Sequence, residues 1–281
     1  MTLLERVRTC AQYRALDFRP FVVAGLSIGQ IRADAIVELT DFGDVFDFTD
    51  QEVQLKSNVR GFAERTRVMG KVARTLRDRG LIAGWRDEMY PAALKFGDPA
   101  VFEIERAAVP FFGIRGYGVH INGWVKTEDG PMMWIGRRSL TKPTGPGLLD
   151  QVVAGGLPSG MALMENVIKE CEEEASIDAD LARQAVSVGT VSYITEREEG
   201  LRHDVLFNYD LLLPTNFSPV NEDGEVAEFM LWPMAQVHEE VGHEGVFKFN
   251  AALVVIDFLV RHGFVDPESP GYTDVVSGLH L

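Results

Sequence analysis

The chain of 281 residues is 46% apolar and 25% charged, as in globular proteins, and no apolar run approaches the ~18 residues of a membrane span. Its formal net charge of −15 argues against nucleic-acid backbones and anionic membranes as partners. Because it has only two cysteines and no basic start followed by an apolar core, we expect no disulfide scaffold, no signal peptide and a cytoplasmic protein.

Residues 1–113 are predicted to form a smaller α+β domain. Apolar residues repeat at helical spacing up to about residue 18, and short strands are predicted at 21–24 and 31–39. A basic amphipathic helix is predicted at 60–79. Its charge is compatible with nucleic-acid binding, but the acidic balance of the whole chain favours a solvated, ion-paired face.

The segment 84–91 combines two aromatic residues, Trp85 and Tyr90, with an arginine and two acidic residues. Such a mixture is typical of a pocket that stacks a substrate ring. It is equally common where two domains pack together. Both interpretations stay open at this point, and Trp85 and Tyr90 are candidate substrate-binding residues.

Residues 114–265 are predicted to form a second domain, followed by a C-terminal tail at 266–281. Its first strands are joined by Asp129–Gly130, a hairpin turn signal. Alternating strands and helices indicate an α/β (α+β) arrangement. The predicted strands lie at 116–125, 132–135, 186–195, 204–213 and 225–232, and the predicted helices at 161–177, 234–241 and 250–262.

The central feature is a glycine-rich stretch at 154–160 that runs into the helix at 161–177. Glu170, Glu173 and Glu174 share one face of that helix, because residues three and four apart lie on the same side. Acidic runs are usually solvated helix faces. Here the preceding glycines favour a site in which the carboxylates hold Mg²⁺ or Mn²⁺, ions that prefer hard oxygen ligands.

This stretch resembles the Nudix box, G-x5-E-x7-R-E-U-x-E-E-x-G-U, in which U is apolar. Gly155 takes the first glycine, and the run Glu170-x-x-Glu173-Glu174 is intact. Lys169 replaces the arginine, Met161 the first glutamate and Ser176 the last glycine. The resemblance implies a Nudix-type mixed sheet between helices, preceded here by the N-terminal α+β domain, and a metal-dependent diphosphate hydrolase.

The resemblance extends to one Nudix subgroup, which includes the Nudix half of fungal thiamine pyrophosphokinases and plant plastid relatives. It implies hydrolysis of thiamine diphosphate analogues, especially oxidised or damaged forms, to the monophosphate. The segments that carry it are 112–113, 118–123, 137–139, Lys142, 149–150, 154–156 and 169–176.

The resemblance also implies roles for individual residues. Glu170, Glu173 and Glu174 would bind the metal, and Glu173 and Glu174 would act in catalysis together with Glu228. Glu228 is the candidate general base or extra ligand, and Glu225 is its rival. The candidate substrate-binding residues on this side are Arg137, Arg138, Lys142, Gly155 and Gly156.

Several alternatives remain at the level of sequence. The same chemistry could act on a nucleoside diphosphate linked to another group, or the fold could be a non-catalytic binding module with a degenerate box. An isoprenoid-diphosphate isomerase is disfavoured because Cys171 lies within the helix and Cys10 in another domain. The expected partner is a small-molecule diphosphate, with neither nucleic acid nor membrane involved, and a homodimer is left open.

Overall fold

The computed structural model describes residues 2–142, 144–222 and 224–280, so the outer ends of the predicted first domain and tail, Met1 and Leu281, lie outside the described residues. No helix in these ranges is long and apolar enough to cross a membrane. The helices are α1 (Leu3–Thr9), α2 (Phe62–Asp78), α3 (Leu163–Ala175), α4 (Ala179–Ala182), α5 (Met234–Val241), α6 (Phe249–Arg261) and α7 (Tyr272–Gly278). The strands are β1 (Phe18–Val23), β2 (Leu26–Arg32), β3 (Phe46–Phe48), β4 (Val53–Leu55), β5 (Met89–Ala92), β6 (Phe102–Glu105), β7 (Arg115–Thr127), β8 (Gly130–Arg138), β9 (Leu149–Gln151), β10 (Val153–Gly156), β11 (Val186–Arg197), β12 (Gly200–Leu212) and β13 (Val226–Pro233).

A seven-stranded sheet forms the centre of residues 115–280, which we call the C-terminal unit. Five strands run in the order β11-β12-β7-β8-β13, with β10 added beside β7 and β9 beside β8. The β7–β12 pair is parallel and the others are antiparallel, so the sheet is mixed. Helix α3 packs on one face and α6 on the other, each with its own apolar core. The predicted mixed sheet between helices is confirmed.

Residues 18–114 form a smaller α+β arrangement, which we call the N-terminal unit. Its four-stranded sheet has the order β2-β1-β4-β3, and β5 and β6 form a separate hairpin. Helix α2 covers them and buries Met69 and Leu76 against Phe21 and Phe102. The basic residues of α2 lie mostly on its outer side, as the predicted helix at 60–79 requires.

The strand predicted at 31–39 is wrong beyond Arg32, because Ala33–Phe42 forms a 3₁₀-helix. The apolar residues that contact the core, Ile36, Leu39 and Phe42, are three apart. A spacing of three places them on one side of a 3₁₀-helix.

Both ends of the chain pack on the C-terminal unit. The predicted first helix is short: α1 ends at Thr9, and the carbonyl of Gln12 then accepts a hydrogen bond from the Glu196 amide at 2.8 Å. Val7 of α1 is buried in the same core as α6. The predicted tail at 266–281 contains α7, which packs against α1 and buries Val275.

Candidate active site

The predicted glycine loop is a strand as far as Gly156, because β10 pairs with β7 through Gly155 and Gly156. Close packing explains both glycines. A Cβ atom on Gly155 would overlap the carboxyl group of Glu170, and one on Gly156 would overlap the hydroxyl of Tyr90. Glu170 of α3 and Tyr90 of β5 therefore lie directly against this glycine strand, one from each unit.

Glu174 is the buried carboxylate of the site. Its Oε2 accepts a hydrogen bond from the Ala154 amide at 2.8 Å, and the residue is only 7% exposed. Burial raises the pKa of Glu174 from 4.5 to about 8, and the nearby charge of Glu170 contributes to the rise. Burial also raises the pKa of Glu170. These two carboxylates are thus placed where a cation would favour their charged forms.

The side chain of Lys169 lies between two of the predicted metal ligands, Glu170 and Glu173. Its Nζ donates to Glu173 Oε2 at 2.7 Å and to Glu170 Oε1 at 3.2 Å. The Glu173 side chain is half exposed. Within the described residues, no group of three or more His, Cys, Asp or Glu side chains stands close enough to hold a metal ion. The donor chemistry of Glu170 and Glu174 fits Mg²⁺ or Mn²⁺, whereas Glu173 is engaged by the Lys169 ammonium.

A cavity of about 10 Å³ lies beside Glu174, which is about the space of one water molecule. Glu225 lines this cavity and contacts Lys142. Its Oε1 also lies 3.9 Å from Arg86 Nη1 of the N-terminal unit. The lining residues are Gly136, Arg138, Lys142, Asp150, Gln151, Glu174, Glu225 and Val226.

The two predicted phosphate-binding arginines are both engaged within the protein. The largely buried Arg138 donates through Nη2 to the Thr144 carbonyl at 2.8 Å and through Nη1 to Asp150 at 2.9 Å. Arg137 Nε donates to Glu228 Oε2 at 3.2 Å. The Glu228 side chain is 56% exposed, and it does not line the cavity beside Glu174.

Two residues that line the cavity, Asp150 and Gln151, contact further buried polar side chains. Burial alone would raise the pKa of Asp150, but Lys248 and Arg138 hold it below its usual value. Burial lowers the pKa of Lys248 to about 8 and that of His120 to about 4. The His120 ring bonds to the Gln151 side chain at 2.7 Å. Asp150 thus pairs with both Arg138 and Lys248, and Gln151 bonds to His120, at the wall of the cavity.

The two aromatic residues predicted to bind substrate, Trp85 and Tyr90, lie in different surroundings. The Trp85 indole donates to Asp87 at 2.8 Å, and its ring lies 4.7 Å from the guanidinium carbon of Arg77 in α2. Trp85 therefore packs on the N-terminal unit. Tyr90 is buried against Gly156, and burial raises the pKa of its hydroxyl.

Two arginines at the site were not among the residues predicted from the sequence. Arg106 follows β6, and its guanidinium carbon lies 3.1 Å from the position of a Cβ on Gly156. Arg86 approaches Glu225. Arg86 belongs to the mixed segment 84–91, which gave some signal, whereas nothing in the sequence distinguished Arg106 from other arginines.

Comparisons with known proteins identify the family. Residues 2–116 match a family model described as a domain of unknown function, DUF4743. "Nudix hydrolase 24, chloroplastic" of Arabidopsis thaliana is 46% identical over 97% of this chain and 76% of its own length. "Nudix hydrolase 20, chloroplastic" of the same plant is 45% identical over 98% and 76%. The chain belongs to the Nudix hydrolase family. It is a diphosphate hydrolase of that family, and the predicted family and enzyme class are confirmed.

Two further matches extend the comparison. "Uncharacterized protein YJR142W" of Saccharomyces cerevisiae is 31% identical over 91% of this chain and 81% of its own length. The solved NUDIX domain of Shewanella oneidensis NrtR, complexed with ADP ribose, is 14% identical, covers 55% of this chain and 91% of its own, and has a TM-score of 0.43. Both plant relatives are named as chloroplastic, and the cytoplasmic location expected from the sequence stays a prediction.

The Nudix box of this protein departs from the general pattern at Ser176, where the pattern has glycine. Ser176 follows α3 in the left-handed conformation, with φ 51° and ψ 36°. That conformation costs a non-glycine residue roughly 1–2 kcal/mol. The Ser176 hydroxyl donates to the Val220 carbonyl at 2.9 Å, and this bond offsets part of the cost. The helix therefore ends in the left-handed conformation although this position holds serine in place of glycine.

Proposed function

We propose that this Nudix hydrolase depends on a divalent metal and cleaves the diphosphate of thiamine diphosphate analogues, oxidised or damaged forms in particular, to the monophosphate and phosphate. The supporting observation for the metal is the pair Glu170 and Glu174, two carboxylates brought together at the glycine strand with pKa values raised by burial. The support for the substrate is the subgroup resemblance of the sequence. It extends well beyond the box.

The chain's own side chains would hold Mg²⁺ or Mn²⁺ through Glu170 and Glu174. Glu173 would join them when the Lys169 ammonium, now bonded to both Glu170 and Glu173, gives up that position. A divalent ion there would neutralise phosphate charge and polarise the phosphorus–oxygen bond. Loss of the Glu174 charge should lower kcat about a hundredfold or more.

A carboxylate near the ion is needed to accept a proton from the attacking water. The sequence pointed to Glu228, with Glu225 as the rival. Glu225 has the stronger support, because it lines the cavity beside Glu174, whereas Glu228 is largely exposed and paired with Arg137. We expect Glu225→Gln to lower kcat about a hundredfold and Glu228→Gln less than about threefold. A larger loss of kcat in Glu228→Gln than in Glu225→Gln would identify Glu228 as the general base.

The proposed function is tested by phosphate release from a panel of diphosphates with Mg²⁺, Mn²⁺ or EDTA. The panel contains oxythiamine diphosphate, thiamine diphosphate and ADP-ribose. We expect metal-dependent turnover, with oxythiamine diphosphate the best substrate by kcat/KM. The exposed Glu172→Gln variant is the control for Glu174→Gln, because it removes a charge from the same helix outside the site.

Other outcomes of the panel support the alternatives. Turnover of ADP-ribose alone would show a nucleoside-diphosphate-X hydrolase. The other alternative is a non-catalytic binding module, for which the sequence offers Met161 and Ser176 as departures from the box. That module would show no turnover, and Mg²⁺ would bind equally weakly to wild type and Glu174→Gln in calorimetry.

A further inference from the structure

The N-terminal unit contacts the active site through the segment 86–90 and through Arg106, which follows β6. The Ser159 amide, beyond the glycine strand, donates to the Met89 carbonyl of β5 at 2.8 Å. Tyr90 lies against Gly156, and Arg86 lies beside Glu225. The segment 86–90 therefore runs along the C-terminal unit between the cavity wall and the start of the loop before α3.

Arg106 stands over the glycine strand. Its Nη1 donates to Glu88 Oε2 at 2.8 Å, and its guanidinium carbon lies 5.7 Å from the centre of the Tyr90 ring. The side chain remains 41% exposed. Glu170 lies against Gly155, the neighbouring residue of the same strand. Arg106 thus combines a fixed position next to a proposed metal ligand with an open face.

Arg86 is the less constrained of the two arginines. Its side chain is 36% exposed, and its ion pair with Glu225 is long at 3.9 Å. Glu225 is on the wall of the cavity that also contains Glu174. A guanidinium so placed can turn toward an anion bound at the cavity mouth without losing a short hydrogen bond to Glu225.

A diphosphate needs cations beyond the metal, since it would lie close to several carboxylates. Arginine suits this task because its planar fork donates two parallel hydrogen bonds to phosphate oxygens. Arg138 is already committed to Asp150 and the Thr144 carbonyl, and Arg137 to Glu228. Arg106 is also paired, with Glu88, but it lies against the glycine strand that Glu170 contacts as well. Arg86 lies beside Glu225 on the cavity wall. Position, and not the lack of a partner, therefore favours Arg86 and Arg106 as ligands of a bound diphosphate.

We infer that Arg86 and Arg106 bind the substrate's diphosphate, so that the N-terminal unit completes the active site of the C-terminal unit. The inference rests on the proposed function for its substrate. It assigns the N-terminal unit a direct part in phosphate recognition, with one arginine beside Glu170 and the other beside Glu225.

The test compares Arg86→Gln and Arg106→Gln with wild type on the best substrate of the panel. We expect KM to rise at least about tenfold in each, with kcat lowered less than about threefold, since the lost contacts bind ground state and transition state alike. Arg86→Lys should recover part of the loss. Arg67→Gln, an exposed arginine on α2, is the control and should keep wild-type KM.

A binding measurement separates this inference from the proposed function. Calorimetry with methylenediphosphonate and Mg²⁺ needs no turnover, and each variant should bind at least about tenfold more weakly than wild type. If wild type hydrolyses nothing on the panel, the proposed function fails while this assay still tests the arginines. Wild-type KM and wild-type binding in Arg86→Gln would overturn the inference, even if Arg106→Gln failed to fold.

Discussion

Replacing Glu174 by glutamine should stabilise the metal-free protein at alkaline pH. The carboxyl is buried, and its pKa rises from 4.5 to about 8 on folding, first because of burial. Between these two values the folded state therefore holds more protons than the unfolded state. The free energy of unfolding then falls as pH rises through this window, and the stabilising contribution is present only below it.

The magnitude follows from the two pKa values. At about 1.4 kcal/mol for each factor of ten, the change from 4.5 to about 8 corresponds to about 5 kcal/mol. Part of this change falls below pH 5, and entry of water around the ionised group reduces it further, so we expect wild type to lose about 2–4 kcal/mol between pH 5 and 9. Glutamine carries no charge and keeps an oxygen that can accept from the Ala154 amide.

The assay is urea unfolding of wild type and Glu174→Gln in EDTA from pH 5 to 9, with Glu172→Gln as the exposed control on the same helix. The Glu174→Gln curve should be flatter than that of wild type and should lie above it at pH 9. Added Mg²⁺ should stabilise wild type and have little effect on Glu174→Gln. A Glu174→Gln variant less stable than wild type at pH 9 would refute the reasoning.

Three further predictions follow from contacts of the site. Gly156→Ala should cost about 2 kcal/mol in urea unfolding, because its Cβ overlaps the Tyr90 hydroxyl, and Tyr90→Phe in the same chain should recover part of the loss. Asp150→Asn should cost about 3 kcal/mol at pH 7, because it leaves the buried Lys248 charge without its partner; an unfolding free energy within 1 kcal/mol of wild type would contradict this. Burial raises the pKa of the Cys171 thiol to about 12, so both buried cysteines should react with a thiol reagent only in urea, and rapid labelling of the folded protein would show an open core.

The helix that carries the glutamates was predictable because its evidence is local. The spacing of Glu170, Glu173 and Glu174 places them on one face of α3 whatever the rest of the chain does. Their depth was not predictable. Glu174 is buried and Glu173 half exposed although they are neighbours, because only Glu174 points under the glycine strand to the Ala154 amide.

The position of the Glu228 side chain could not be read from spacing either. The register between β13 and β8 shifts between Val226 and Glu228, so that Val226 pairs with Arg138 and Glu228 with Arg137. An extra residue in one strand reverses the face of the side chains beyond it. Glu228 consequently meets Arg137 on the exposed side, while Val226 lines the cavity. A bulge depends on pairing with a distant strand and leaves no local mark in the sequence.

The charge of the chain gives a physical reason for an active site shared between two units. Acidic and basic residues are equal in number in residues 1–113, so the net charge of −15 belongs to the remainder of the chain. A C-terminal unit of that charge repels a diphosphate over a Debye length, about 8–10 Å, and a single bound divalent ion offsets only part of the charge. The nearly neutral N-terminal unit can place Arg86 and Arg106 at the opening while adding little to that repulsion. The carboxylates that suit a metal and the cations that suit its phosphate substrate can then be provided by different parts of the chain.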